Sequence, residues 1–154
     1  MKSNESAENY LETILILSQK KPVVRSVDIA DEMGFKKSSV SVAMKNLREK
    51  NMITVRPEGY IYLTESGKQV ADMIYERHQF LSSWLMSLGV DEKTATDDAC
   101  RMEHVISKES FSAIKKYVEK IKPDFIRIKE GKLDENISLG SKIVYCMDNN
   151  EIKC

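Results

Sequence analysis

The chain has no apolar run approaching the ~18 residues a membrane-spanning helix needs, although it is 154 residues long. Its first residues, Met1-Lys2-Ser3-Asn4-Glu5, lack the apolar core of a secretory signal. These two absences predict a cytoplasmic protein with no membrane partner. Net charge is absent as well: 24 Lys and Arg balance 24 Asp and Glu, so total charge selects neither nucleic acid nor an acidic substrate. Cysteine is scarce, and Cys100, Cys146 and Cys154 show no Cys-x-x-Cys spacing and cannot all pair within one chain. Free thiols in a reducing compartment are therefore expected. What remains, 42% apolar and 31% charged, is the composition of a soluble protein rich in helix formers. It is long enough for one substantial domain or two small ones sharing a core.

The neutral total hides a local excess. From Lys36 to Arg56 six Lys or Arg stand against one acid, Glu49, a net charge of +5. The segment around it has helix-turn-helix punctuation. Lys20-Lys21-Pro22 ends a first helix over residues 6 to 20, with Ser6 as its cap and Tyr10, Ile14 and Leu17 as its apolar stripe. Ser26 caps a short helix, Val27 to Met33, whose buried side is Val27, Ile29, Ala30 and Met33, and Gly34 ends it. A second helix runs from Lys37 or Ser38 to about Lys50 with Val40, Ala43, Met44 and Leu47 inward. Its outward face and flanks carry Lys36, Lys37, Ser38, Ser39, Ser41, Lys45 and Arg48, cations for phosphates and short hydroxyls for phosphates or base edges.

Residues 52 to 56 and 60 to 64 then alternate in the strand manner around Pro57-Glu58-Gly59, a hairpin that puts Arg56 at its tip. A hairpin directly after such a helix makes a winged helix-turn-helix, and Arg56 is placed to reach neighbouring phosphates or the minor groove. The alternative is a packing hairpin of helices that touches no nucleic acid.

Beyond the wing the pattern is helical throughout. Ser66 caps a long helix to about Leu88 that carries His78, Asp91 begins another to about Ser107, and Ser107 caps a third through Lys120. The apolar surface on these helices exceeds what the winged unit covers, which predicts a homodimer. The central helix contains Asp97-Asp98-Ala99-Cys100-Arg101-Met102-Glu103-His104-Val105-Ile106-Ser107. Cys100, Glu103 and His104 are spaced i, i+3 and i+4, within an arc of about 100° on one face. A thiolate, a carboxylate and an imidazole so placed suit Fe2+, Zn2+ or Co2+ better than Mg2+ or Ca2+. Against this stands a bland reading: Cys100 as a small buried hydrophobe and Glu103-His104 as a solvated pair. An enzyme reading, with Cys100 as nucleophile and His104 as base, lacks an orienting third group and an oxyanion arrangement, so no catalytic residue is assigned.

The segments Glu8-Asn9-Tyr10-Leu11-Glu12-Thr13-Ile14, Tyr75-Glu76-Arg77-His78 and Asp98 to Ser107 resemble the diphtheria toxin repressor family of metal-dependent transcriptional regulators. The likeness covers roughly residues 6 to 121 and is to a short form without the SH3-like domain. It implies that Cys100, Glu103, His104 and His78 bind metal, with Glu12 matching a carboxylate ligand of the manganese branch. Asn9 stands where the iron branch has methionine and the manganese branch aspartate, and Ser82 and Thr96 replace two ancillary ligands of the iron branch. The implied cofactor is Fe2+ or Mn2+, with Fe2+ favoured because a thiolate selects against Mn2+.

The expected fold is therefore mostly α: a winged helix-turn-helix at 1 to 65, an all-α dimerisation and metal-binding domain at 66 to 122, and a C-terminal extension at 123 to 154. The expected function is a metal-dependent repressor that binds a palindromic double-stranded DNA operator as a homodimer and uses no small-molecule substrate. A winged-helix regulator answering to another metal or to a non-metal ligand is the alternative.

Overall fold

The computed structural model describes residues 2 to 122, with side chains from Glu5 onward. The expected extension, its strand at 137 to 147, Cys146 and Cys154 lie outside the described residues. The element order is α1 (Lys2–Lys20), α2 (Ser26–Met33), α3 (Lys37–Glu49), β1 (Ile53–Val55), β2 (Ile61–Leu63), α4 (Glu65–Ser87), α5 (Glu92–Val105) and α6 (Lys108–Ile121). This is the mostly helical fold expected, with a small two-stranded wing. Residues through His104 form one compact unit and those from Val105 begin a second.

The first unit is built around α1. Its Tyr10, Leu11, Ile14, Leu15 and Leu17 are buried in one core with Ile29, Ala30 and Met33 of α2, Val40, Met44 and Leu47 of α3, Ile53 and Ile61 of the wing, and Ala71 of α4. Each fully buried Leu or Ile contributes about 2 kcal/mol by leaving water. The hairpin is antiparallel, pairing Ile53 with Leu63 and Val55 with Ile61. Val24, between α1 and α2, adds an isolated bridge to Ile61, whose N–H donates to the Val24 carbonyl at 2.8 Å. Thus the turn, the wing and α1 share one core.

Helix starts differ from expectation in three places. Ser6 is not a cap, because α1 already begins at Lys2; no breaker precedes Ser6, and Glu5 favours the positive end of the helix dipole. At α2 the cap position is Arg25 rather than Ser26, and the Asp28 carboxylate accepts the Arg25 N–H at 2.8 Å. Helix α2 buries Ile29, Ala30 and Met33, leaving Val27 39% exposed rather than buried. At α4 the cap is Thr64, whose Oγ1 accepts the Gly67 N–H at 3.1 Å, while Ser66 donates to the Asn51 carbonyl.

Gly67 is required there by space. A Cβ at this position would collide with the carbonyl of Met52, at the entry to β1. The same carbonyl accepts the Thr64 N–H at 3.0 Å, so the start of α4 is clasped against the start of the wing. Gly34, at φ 66°, ends α2 in the left-handed conformation as expected.

In the second unit Ser107 caps α6, its hydroxyl accepting the Ser110 N–H at 3.0 Å, and Phe111 and Val118 are the buried positions of the helix.

Candidate metal centre and nucleic-acid interface

The predicted ligands converge from three helices of the first unit. Helix α5 brings Cys100, Glu103 and His104 to one face, and α4 brings His78. Donor atoms of His78, Cys100 and Glu103 all lie within 4.8 Å of one another, and all three residues are buried. Helix α1 supplies Glu12, which is 9% exposed, and Asn9.

Glu103 is the centre of the arrangement and is 0% exposed. Its Oε2 lies 2.8 Å from His78 Nδ1. Its Oε1 lies 3.2 Å from His104 Nε2 but makes no hydrogen bond, since that nitrogen is directed to Asn9 Oδ1 at 3.0 Å. The other ring nitrogen of His104, Nδ1, is 2.7 Å from Glu8 Oε2. The Arg77 guanidinium donates to the Glu103 backbone carbonyl at 3.1 Å.

Proton affinities follow from this crowding. Burial pushes the Glu12 carboxyl up to about 8, helped by the Glu103 carboxylate and opposed by the two histidines. Burial alone would lower both imidazoles, but the carboxylates win. His104 is raised to about 9 by Glu103 and Glu8, and His78 is raised by Glu103. The Glu12 carboxyl and the two imidazoles thus hold their protons more tightly than usual, and a cation would displace them. The buried Glu103 Oε1 without a hydrogen bond, beside nitrogen and oxygen donors, fits a divalent transition ion.

Cys100 is buried on α5, its sulfur among the donors gathered with His78 and Glu103. Ser82 and Thr96, at the positions of the ancillary iron-branch ligands, are buried, and Ser82 Oγ donates to the His78 carbonyl at 2.8 Å. Ser82 thereby braces the α4 turn that carries His78.

Sequence reasoning named Glu8 only within the α1 motif and gave it no part in the site. Helical spacing held the missing signal, since Glu8 precedes Glu12 by four residues and shares its face.

The second constellation lies on the surface. Lys36, Lys37, Ser38, Ser39, Ser41, Lys45 and Arg48 are all exposed on or beside α3. Val42, which the sequence reading passed over, is 61% exposed among them. Arg56 is exposed at the wing, its guanidinium 5.2 Å from the centre of the Tyr62 ring. Inward Val40, Met44 and Leu47 fix the helix so that this polar stripe faces water. Among the described residues no helix is long and apolar enough to cross a membrane.

Comparison with known proteins supplies the family. Residues 2–60 match the family model described as iron dependent repressor, N-terminal DNA binding domain. Residues 64–125 match iron dependent repressor, metal binding and dimerisation domain. An HTH-type transcriptional regulator of Methanocaldococcus jannaschii is 33% identical over 121 residues, 77% of this chain and 97% of that protein. Transcriptional regulator MntR of Escherichia coli is 32% identical over 116 residues, 75% of each chain. Among solved structures, the manganese regulator SloR superposes with a TM-score of 0.66 at 24% identity, over 73% of this chain and 53% of that one. A manganese-dependent transcriptional repressor in complex with manganese gives 0.66 at 25%, over 73% and 52%. The chain spans about half the length of these two solved chains. With both family models matched in tandem and one relative covered almost end to end, this chain belongs to the iron-dependent, or diphtheria toxin repressor, family of metal-dependent DNA-binding transcriptional regulators.

Proposed function

We propose that this chain represses metal homeostasis genes by binding a palindromic DNA operator as a homodimer when it holds Fe2+. Residues 1 to 65 read the DNA and residues 66 to 122 dimerise and bind metal, with α1 contributing to both. The carrying observation is Glu103: a wholly buried carboxylate with one oxygen lacking a hydrogen bond, set among His78, Cys100 and His104. Asn9, Glu12, His78, Cys100, Glu103 and His104 would hold the ion. When bound, the ion supplies the positive charge that lets buried carboxylates stay ionised together.

The protein's own residues do the rest. Asn9 and Glu12 tie α1 to α5, and His78 ties α4 to α5 through Glu103. Favouring one packing of these helices favours one placement of α3, whose Lys37 and Lys45 meet phosphates and whose Ser38, Ser41 and Val42 face base edges, Val42 suiting a thymine methyl. In a two-fold dimer the α3 helices enter successive major grooves about 34 Å apart. Exposed apolar residues support dimerisation, Met73 and Met86 on α4 and Tyr117 and Ile121 on α6.

A second reading is Mn2+: Glu12 adds an oxygen donor to the imidazoles of His78 and His104, a set Mn2+ accepts, and one structural relative is a manganese-dependent repressor in complex with manganese.

The test is anaerobic selection of DNA from a random pool by the reduced protein with Fe2+, then with Mn2+, followed by affinity measurement. Tight binding that collapses on chelation is the expected result. Affinity unchanged by chelation would sink the metal switch, and recovery of no sequence would sink the DNA reading.

A further inference from the structure

We propose that Glu8 is a positioning residue of the metal centre: it grips His104 through Nδ1 so that Nε2 is the nitrogen presented to the ion. The inference rests on the metal reading above and assigns a function to a side chain outside that ligand set.

The His104 side chain is 1% exposed and both its ring nitrogens are engaged. Those nitrogens point to different sides of the ring and meet different surroundings. On the Nε2 side lie Asn9 Oδ1 at 3.0 Å and Glu103 Oε1 at 3.2 Å, the latter without a hydrogen bond. On the Nδ1 side lies the Glu8 carboxylate, at 2.7 Å. The oxygen in need of a cation is therefore on the Nε2 side. An ion there takes the Nε2 lone pair, which leaves Nδ1 as the N–H, and that N–H already has its acceptor in Glu8.

Two consequences follow for the ring. A carboxylate on the distal N–H fixes tautomer and orientation and strengthens the metal-facing nitrogen as a donor, commonly by 10- to 100-fold in affinity. Glu8 also makes the contact from α1, 96 residues away in sequence, so α1 is joined to α5 by Glu8 as well as by Asn9. The Glu8 side chain is 23% exposed, at the edge of the cluster rather than within it, which suits an outer role.

The experiment uses the full-length, reduced chain as wild type, Glu8→Gln and Glu8→Ala, titrated with Zn2+ by calorimetry. Nitrogen-15 spectra of the Zn2+-loaded forms identify which His104 nitrogen carries the proton, and thermal unfolding of the metal-free forms reports on folding. We expect unchanged stoichiometry, affinity lowered about 10- to 100-fold in Glu8→Ala, and a smaller loss in Glu8→Gln, whose amide oxygen still accepts the N–H. The His104 Nδ1–H signal should be protected from exchange in the wild type and lost in Glu8→Ala. Affinity within twofold of wild type in Glu8→Ala overturns the proposal, as does metal bound through Nδ1. Loss of one ion per chain also overturns it, by making Glu8 a ligand. Failure of the wild type itself to bind Zn2+ overturns both this inference and the metal reading, whereas tight wild-type binding with an indifferent Glu8→Ala overturns this inference alone.

Discussion

A carboxylate removed from water, as that of Glu103 is, is tolerated only if something else offsets its lost hydration. His78 does part of this at 2.8 Å. His78→Ala should therefore destabilise the metal-free protein by about 3 kcal/mol, by leaving a buried charge unpaired; urea unfolding in the presence of a chelator measures this. Cys100→Ala, by contrast, should leave the fold intact and weaken the metal response. Loss of folding there would mark Cys100 as a core residue. The site also predicts a pH dependence. Glu12 is raised from 4.5 to about 8 and His104 from 6.5 to about 9. The folded chain thus holds both protons more tightly than the unfolded chain. The stability they confer is complete below about 4.5 for Glu12 and about 6.5 for His104, and is lost as pH rises through about 8 and about 9 respectively. Thermal unfolding of metal-free protein should show a decline across this window, while metal affinity rises because the displaced protons are held less strongly. A flat unfolding profile would contradict the arrangement of carboxylates. Much of this cluster was legible in the sequence. Cys100, Glu103 and His104 declare themselves by helical spacing, and His78, Glu12 and Asn9 by resemblance. Local spacing could not show that His104 reaches back to Glu8, because that contact depends on how α1 packs.

Helices and wing followed the sequence in kind and missed it at their ends. Alternation gave the hairpin and Gly34 gave the turn, since both signals are local. Caps were harder: Thr64 and Ser66 both suit the start of α4, and the choice is made by Asn51 and Met52, whose carbonyls occupy the two hydroxyls and the Thr64 N–H. Thr64→Ala should cost about 1 kcal/mol of stability, the usual worth of an N-cap. Gly67→Ala should cost about 1 to 3 kcal/mol, because the new methyl meets backbone rather than a side chain that can swing away. Denaturant titration of the two variants checks the values, and a neutral Gly67→Ala would mean that α4 and the wing separate easily. On α3, Lys37→Ala or Lys45→Ala should weaken DNA binding for all sequences alike and lower the slope of log affinity against log salt by about 1 each. An unchanged slope would remove that lysine from the phosphate contacts.

For the whole molecule, zero net charge coexists with a +5 segment at residues 36 to 56, so the proposed attraction to DNA would come from that segment and not from the chain at large. Chelation should accordingly abolish selective operator binding while leaving weak, salt-sensitive binding to any duplex, a difference that competition with random DNA reveals. The element that relates the two ends of the first unit is α1, whose residues 8, 9 and 12 adjoin the proposed metal cluster and whose residues 11, 14, 15 and 17 belong to the core shared with α3 and the wing. A helix is stiff over this length, and nine residues at about 1.5 Å each separate Glu8 from Leu17 by about 14 Å. On the proposed mechanism a shift at the cluster would be carried along α1 as a push rod carries it, with little lost to bending. Its phase matters as much as its length: one residue inserted between Glu12 and Ile14 would turn the two ends about 100° out of step, leaving each end with its own partners intact and the signal between them disconnected.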